Sequence, residues 1–151
     1  MTPLPEIGFA AALTENARNY LTTFGEYCDY PENTIIIKQG EADAYMYLVL
    51  EGDCDVYYRG FKGDVSVGTI KPGSSFGEFS MLFKQAANAN IRSTSPVKVW
   101  KIKDERFNVF EREVPGASNT IMRELLQLMG RRLKNAGQIV VGNTITGEAE
   151  K

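Results

Sequence analysis

Few of the side chains that carry out enzymatic chemistry at neutral pH are present in this chain. It contains no histidine, which removes Ser-His-Asp and Cys-His nucleophilic sites, histidine metal centres and imidazole general bases. Its cysteines, Cys28 and Cys54, stand far apart in no C-x-x-C spacing, so they read as free thiols of a reducing compartment. The glycine-containing stretches Gly52 to Gly63 and Gly73 to Gly77 match neither a P-loop nor a dinucleotide fingerprint. What remains suits binding better than catalysis. Glu78 follows Phe76-Gly77, and a polar run, Lys84-Gln85-Ala86-Ala87-Asn88-Ala89-Asn90, lies just beyond it. We assign no catalytic residue and no metal ligand, and expect a protein that is not an enzyme.

The elements that must position these residues change texture twice along the 151-residue chain. Ile7, Phe9, Leu13, Ala17, Tyr20, Leu21 and Phe24 recur near a 3.6-residue period, and Thr14-Glu15-Asn16 reads as a helix start, so residues 1–30 are expected to form an N-terminal helical segment. From Pro31 the residues become β-branched and turn-punctuated. Strands are expected at Thr34–Lys38, Tyr45–Leu50, Cys54–Arg59, Val65–Ile70, Ala89–Ser93 and Val97–Lys103, with Glu51-Gly52-Asp53 as a tight hairpin and Gly60 to Gly63 as a second turn. Ser75–Leu82 is ambiguous between strand and short helix. Short, evenly spaced strands predict an all-β barrel or jelly roll over residues 31–103. Asp104–Glu113 suits a helix stopped near Pro115-Gly116. A second helix, capped by Ser118 or Asn119, is expected to run to about Asn135 and close at Gly137. The C-terminal helices thus occupy 104–137, and 138–151 form a tail in which Ile139-Val140-Val141 is a lid, a swapped strand or a disordered end. Met81, Phe83, Phe107 and Phe110 read as core.

Composition agrees with a single soluble globular domain, with 43% hydrophobic and 24% charged residues. A net charge of −2 gives no global attraction to nucleic acid or an anionic membrane. No apolar run approaches a membrane span and the N-terminus has no secretory pattern, so the expected location is cytoplasmic.

Several of these residues together resemble the cyclic nucleotide-binding domain family, which includes the catabolite activator group and the regulatory subunits of cyclic AMP-dependent kinase. They are Gly40-Glu41, Gly52, Pro72-Gly73-Ser74-Ser75-Phe76-Gly77-Glu78, and Trp100 before Lys101-Ile102-Lys103. The resemblance covers about residues 15–135. It implies a double-stranded β-helix, or jelly-roll, barrel with an N-terminal helix and two C-terminal helices. It also implies a phosphate-binding cassette at 73–93, a short helix and loop opening onto the barrel interior. The implied ligand-binding residues are Phe76, Gly77, Glu78, Phe79, Ser80, Ala86, Ala87, Asn88, Ala89 and Asn90. Glu78 matches the family's acidic residue, which accepts a hydrogen bond from a ribose 2′-OH; such bonds to a carboxylate are charge-assisted.

The family pattern then places an arginine nine residues after this glutamate, and here that position is Ala87. Losing the one full charge that faces a buried phosphate costs about 3–5 kcal/mol, or roughly two to three decades in affinity. Possible substitutes are Lys84 from the loop, Asn88 and Asn90 as amide donors, and Arg92, which strand alternation sends outward if Ala89 and Ile91 face inward. The expected function is a stand-alone regulatory module that binds a cyclic nucleotide (cAMP or cGMP) with reduced affinity, or another small anionic ligand. The alternative is a ligand-free degenerate barrel used for dimerisation or partner binding, with its interior plugged by Phe79, Met81 or another side chain. A cupin-like enzyme is disfavoured by the missing histidines.

The helix over 119–135 carries a broad apolar stripe of Ile121, Met122, Leu125, Leu126, Leu128, Met129 and Leu133. A homodimer through this helix is expected, unless both sub-faces cover the barrel within one chain. Arg131-Arg132-Leu133-Lys134 reads as a solvated helix end. The 17 residues after Lys134 are too few for a helix-turn-helix, so no direct DNA binding is expected.

Overall fold

Thr14 accepts a hydrogen bond from the Ala17 amide at 3.2 Å and so opens helix α1 (Glu15–Thr22), as its sequence predicts. A 3₁₀ turn, Gly8–Ala12, precedes it. The chain continues through β1 (Glu26–Tyr30), β2 (Ile35–Ile37), β3 (Tyr45–Glu51), β4 (Cys54–Gly60), β5 (Gly63–Ile70) and β6 (Ser75–Phe76). It then forms α2 (Glu78–Phe83), β7 (Asn90–Ser93), β8 (Val97–Lys103), α3 (Asp104–Glu113) and α4 (Pro115–Ala149). This computed structural model describes the backbone of residues 1–149 and the side chains of residues 1–136.

The strands make two four-stranded antiparallel sheets, ordered β1-β8-β3-β6 and β2-β7-β4-β5. This is the expected jelly-roll architecture, built as two facing sheets. The first sheet is buried on both faces, and the period-2 geometry of its strands shows how. Tyr47 and Val49 of β3, with Val97 and Val99 of β8, join Ile37, Cys54, Ile70, Phe76 and Ile91 between the sheets. The intervening residues Met46, Leu48, Trp100 and Ile102 point the other way, into a second core made with Leu21, Phe24, Phe107, Phe110, Ile121 and Leu125. Continuous apolar runs are the sequence signature of such a two-sided strand.

Six expectations are corrected. Glu26–Tyr30 is a strand and not part of the helical segment, because its backbone pairs with β8 from Glu26↔Lys101 to Tyr30↔Val97. Glu51-Gly52-Asp53 is not a hairpin. β3 pairs with β6 and β8, whereas β4 pairs with β5 and β7, so this turn carries the chain from one sheet to the other. Gly52 is required there: its φ is 84°, and a Cβ would collide with the Pro96 carbonyl oxygen. Helix α3 ends at Glu113, just before Pro115, as expected, but α4 begins at Pro115 itself and not behind a cap at Ser118 or Asn119; a missing N–H is not needed at a first helical position. Gly137 does not close α4, which continues to Ala149. A glycine inside a helix costs only about 1 kcal/mol, less than a proline break. Ile139-Val140-Val141 is accordingly helical backbone and not a strand or lid loop. Finally, Phe83 is 58% exposed, while Met81, Phe107 and Phe110 are buried as expected. No helix among the described residues is long and apolar enough to cross a membrane.

Candidate functional site

The segment between β6 and β7 resolves the ambiguity of Ser75–Leu82 into two residues of strand and a short helix. Phe76 ends β6 and stacks on Tyr47, with ring centroids 4.7 Å apart and 13° between planes. Gly77 then turns the chain with φ 80°. A Cβ at Gly77 would stand 2.6 Å from the Tyr45 carbonyl oxygen and 3.2 Å from Tyr47 and Ile37 carbons, so both the turn and the packing demand glycine. The turn delivers Glu78 as the first residue of α2, buried to 8% side-chain exposure.

Glu78 is not alone. Arg132 of α4 donates from Nη1 to Glu78 Oε1 at 2.8 Å, and from Nη2 to Ser74 Oγ at 3.1 Å and to the Ser75 carbonyl oxygen. The expected solvated helix end is therefore corrected at Arg132, whose side chain is 38% exposed and turned onto the cassette. Two buried polar atoms beside it, Glu78 Oε2 and Ser75 Oγ, have no hydrogen-bond partner. Burial raises the Glu78 carboxyl above the ordinary carboxylate range, and the Arg132 charge offsets only part of that.

The remaining predicted residues scatter around this point. Phe79 is 50% exposed and packs on Phe83, while Met81 belongs to the helical core, so neither plugs the space between the sheets. Ser80 is buried, and its carbonyl accepts from the Lys84 amide. Ala86 forms an isolated bridge with Ala42. Ala87 exchanges backbone bonds with Gly40 and Glu41, both at 2.9 Å, and its methyl group packs against the cluster between the sheets. Gly40-Glu41 thus anchors the cassette loop, an assignment the glycine pattern alone does not explain. Asn88 is exposed and Ala89 half-buried.

Of the proposed substitutes for an arginine, Asn90 and Arg92 are committed elsewhere, and Lys84 and Asn88 are exposed. Buried Asn90 accepts from the Gln39 amide at 2.9 Å and donates to its side chain. Arg92 lies over the Tyr57 ring and 3.6 Å from Asp55, and Lys84 is exposed. Sequence reasoning missed Arg132, Ser74 and Ser75 as members of the site. Arg132 is 54 positions from Glu78, and no local signal links them.

Two cavities lie nearby. One of about 310 Å³ is lined by Ile35, Ile36, Lys38, Glu41, Ala42 and Asp43. Asp43 at its edge accepts from the Tyr47 hydroxyl at 2.8 Å; burial first, and this carboxylate second, push that phenol well above its usual pKa. The other, about 200 Å³ and apolar, lies between α2 and α4. Neither is lined by Glu78 or Ala87.

The profile of the cyclic nucleotide-binding domain family matches residues 27–112, more than half of the 151-residue chain. This chain belongs to the cyclic nucleotide-binding domain family. The cGMP-dependent protein kinase of Plasmodium berghei (strain Anka) is 28% identical over 97 residues, which cover 64% of this chain and 11% of that protein. The cAMP-dependent protein kinase regulatory subunit of Emericella nidulans is 35% identical over 91 residues, 54% of this chain and 22% of that protein. The match thus spans between 11% and 22% of the length of these two relatives.

Among solved structures, a cyclic nucleotide-binding domain from Methylobacillus flagellatus has a TM-score of 0.82 at 19% identity, covering 87% of this chain and 74% of that one. The Thermus thermophilus catabolite activator protein has a TM-score of 0.75 at 21% identity, covering 87% and 61%. At these identities the likeness establishes the fold. In this cyclic nucleotide-binding domain alanine stands at position 87.

Proposed function

We propose that the chain acts as a regulatory module whose cassette takes a small hydroxyl-bearing ligand, and that it binds cAMP or cGMP only weakly. The observation that carries this reading is the buried Glu78 carboxylate, with one oxygen unpartnered beside an unpartnered Ser75 hydroxyl. A ligand hydroxyl donating to Glu78 Oε2 would satisfy an atom that is costly to leave bare. At the same time Ala87 supplies no charge for a phosphate, and Arg132, the cation at Glu78 among the described residues, is already bonded to it. Specific binding of an anion in such surroundings lacks an uncommitted counter-charge. The module binds and does not catalyse, and it works in the cytoplasm. Calorimetric titration with cAMP and cGMP tests this: dissociation constants weaker than about 1 μM are expected, and a sub-micromolar value for either nucleotide would overturn it.

A second role, pairing of two chains along α4, is favoured by the outer face of that helix. Leu126 is 67% and Leu133 75% exposed, and Phe83 at 58% continues the patch across the apolar cavity. Of the stripe, Ile121 and Leu125 are buried in the core of this chain and Met122 packs partly against it. Isolated exposed apolar residues are ordinary, but a contiguous run on one helix suits a partner helix. Light scattering of the full chain should give a dimeric mass, and a monomer at high concentration would exclude helix pairing.

A further inference from the structure

Strands β4 and β5 outrun the sheet that carries them. They pair with each other from Cys54↔Ile70 to Gly60↔Gly63, whereas β7 accompanies β4 only from Cys54 to Tyr57. Past Tyr57 the two strands form a ribbon with no third strand, and every residue from Tyr58 to Thr69 is exposed. Solvent on both faces calls for polar side chains. This ribbon instead carries Tyr58, Phe61, Val65 and Val67, all of them exposed. Its cross-strand pairs are sorted by kind. Tyr58 stands opposite Val65, and in the next pair Arg59 lies 3.5 Å from Asp64. Phe61 occupies the turn between Gly60 and Gly63 and is fully exposed. Beside it, Lys62 makes no ion pair among the described residues.

We propose that the tip of this ribbon is a membrane-surface contact, in which Phe61 enters the headgroup region of a bilayer that contains anionic lipid. The shape of the tip favours lipid over a protein partner. Phe61 protrudes from a turn with nothing packed on it, so a protein must offer a matching pocket to cover it, whereas a lipid interface closes around a protrusion of any outline. Aromatic rings are favoured at that depth. Arg59 and Lys62 flank the ring in sequence, and long cationic side chains keep their charge among headgroups while their stems cover apolar surface. Arg59 shares its charge with Asp64, so Lys62 supplies the larger part of the attraction. Pairing up to Gly60↔Gly63 holds the tip in place, and little ordering entropy remains to be lost on contact. The chain's net charge of −2 adds no general attraction, so the association is weak, reversible and confined to the tip. It is independent of the cassette and of α4, because no residue from Tyr58 to Thr69 belongs to either apolar cluster.

Co-sedimentation of the full chain with vesicles of equal parts phosphatidylcholine and phosphatidylglycerol tests the contact. The chain should partition onto these vesicles, and Phe61→Ser should lower the partition coefficient at least about tenfold, as loss of one buried aromatic ring predicts. Lys62→Gln should lower it about fivefold on the mixed vesicles and leave it unchanged on pure phosphatidylcholine. Phe61 packs on nothing, so the thermal midpoint of each variant should match that of the parent chain. Phe61→Trp should retain binding and gain a fluorescence that lipids with brominated chains quench, while the fully buried Trp100 stays unquenched. No partition of the parent chain, equal partition of Phe61→Ser, or an unquenched signal in Phe61→Trp would each overturn the proposal. Light scattering separates the other occupant: self-association abolished by Phe61→Ser, without vesicle binding, would assign the tip to a second copy of the chain and overturn the lipid contact.

Discussion

Ala87 sits where its backbone is held by Gly40 and Glu41 and its methyl group touches the cluster between the sheets. The family pattern places its arginine at this position. Ala87→Arg should therefore strengthen cAMP binding at least about tenfold in calorimetry; no gain would place position 87 outside the ligand's reach. The cysteines give a separate check at the same scale. Both are free, Cys54 fully buried and Cys28 partly accessible. Burial, with a smaller contribution from Asp53, pushes the Cys54 thiol up to about 11. Iodoacetamide at pH 8 should label Cys28 alone, with Cys54 reacting only after denaturation, as peptide mass mapping would show. Early labelling of Cys54 would contradict its burial.

At the scale of elements, the cassette depends on the turn that joins β6 to α2. Gly77→Ala forces a Cβ onto the Tyr45 carbonyl at a left-handed backbone position. A loss of about 1–3 kcal/mol is expected in urea unfolding, and a neutral result would mean that the turn adopts another path. Trp100 on β8 is the corresponding anchor between sheet and helices. It is fully buried, faces Phe9 at 6.5 Å and donates its indole N–H to the Thr22 carbonyl at 3.4 Å. Trp100→Phe keeps most of this volume but leaves the carbonyl without a donor. It should be milder than Trp100→Ala, for which a loss of about 3–5 kcal/mol is expected from the same unfolding curves.

For the whole molecule, the proton on Glu78 links the cassette to global stability. Its folded-state pKa is raised, by burial first, so the folded chain holds this proton more tightly than the unfolded chain does. The contribution is fully present below the ordinary carboxylate pKa of about 4.3 and is lost as pH rises through the raised value. Urea midpoints of the wild-type chain should therefore fall relative to Glu78→Gln between about pH 4 and pH 7. A constant difference across that range would mean that Arg132 fully compensates the burial.

Most of the elements were legible because their signals are local. β8 was placed to the residue by the β-branched and aromatic residues between Val97 and Lys103, and Thr14 announced α1 by its capping chemistry. The reading failed where partners are distant in sequence. The order of Glu51-Gly52-Asp53 between two apolar strands looks the same whether those strands pair with each other or, as here, part into different sheets. Likewise, apolar period marks α4 but cannot tell Ile121 and Leu125, which are buried, from Leu126 and Leu133, which are not. The sequence by itself determined that this is a histidine-free cyclic nucleotide-binding fold with Glu78 in its cassette and alanine at position 87. Only the tertiary structure decided that Arg132, 54 positions away, meets that glutamate. An ion pair between residues so far apart is set by how a helix packs across the fold, and no spacing rule along the chain encodes it.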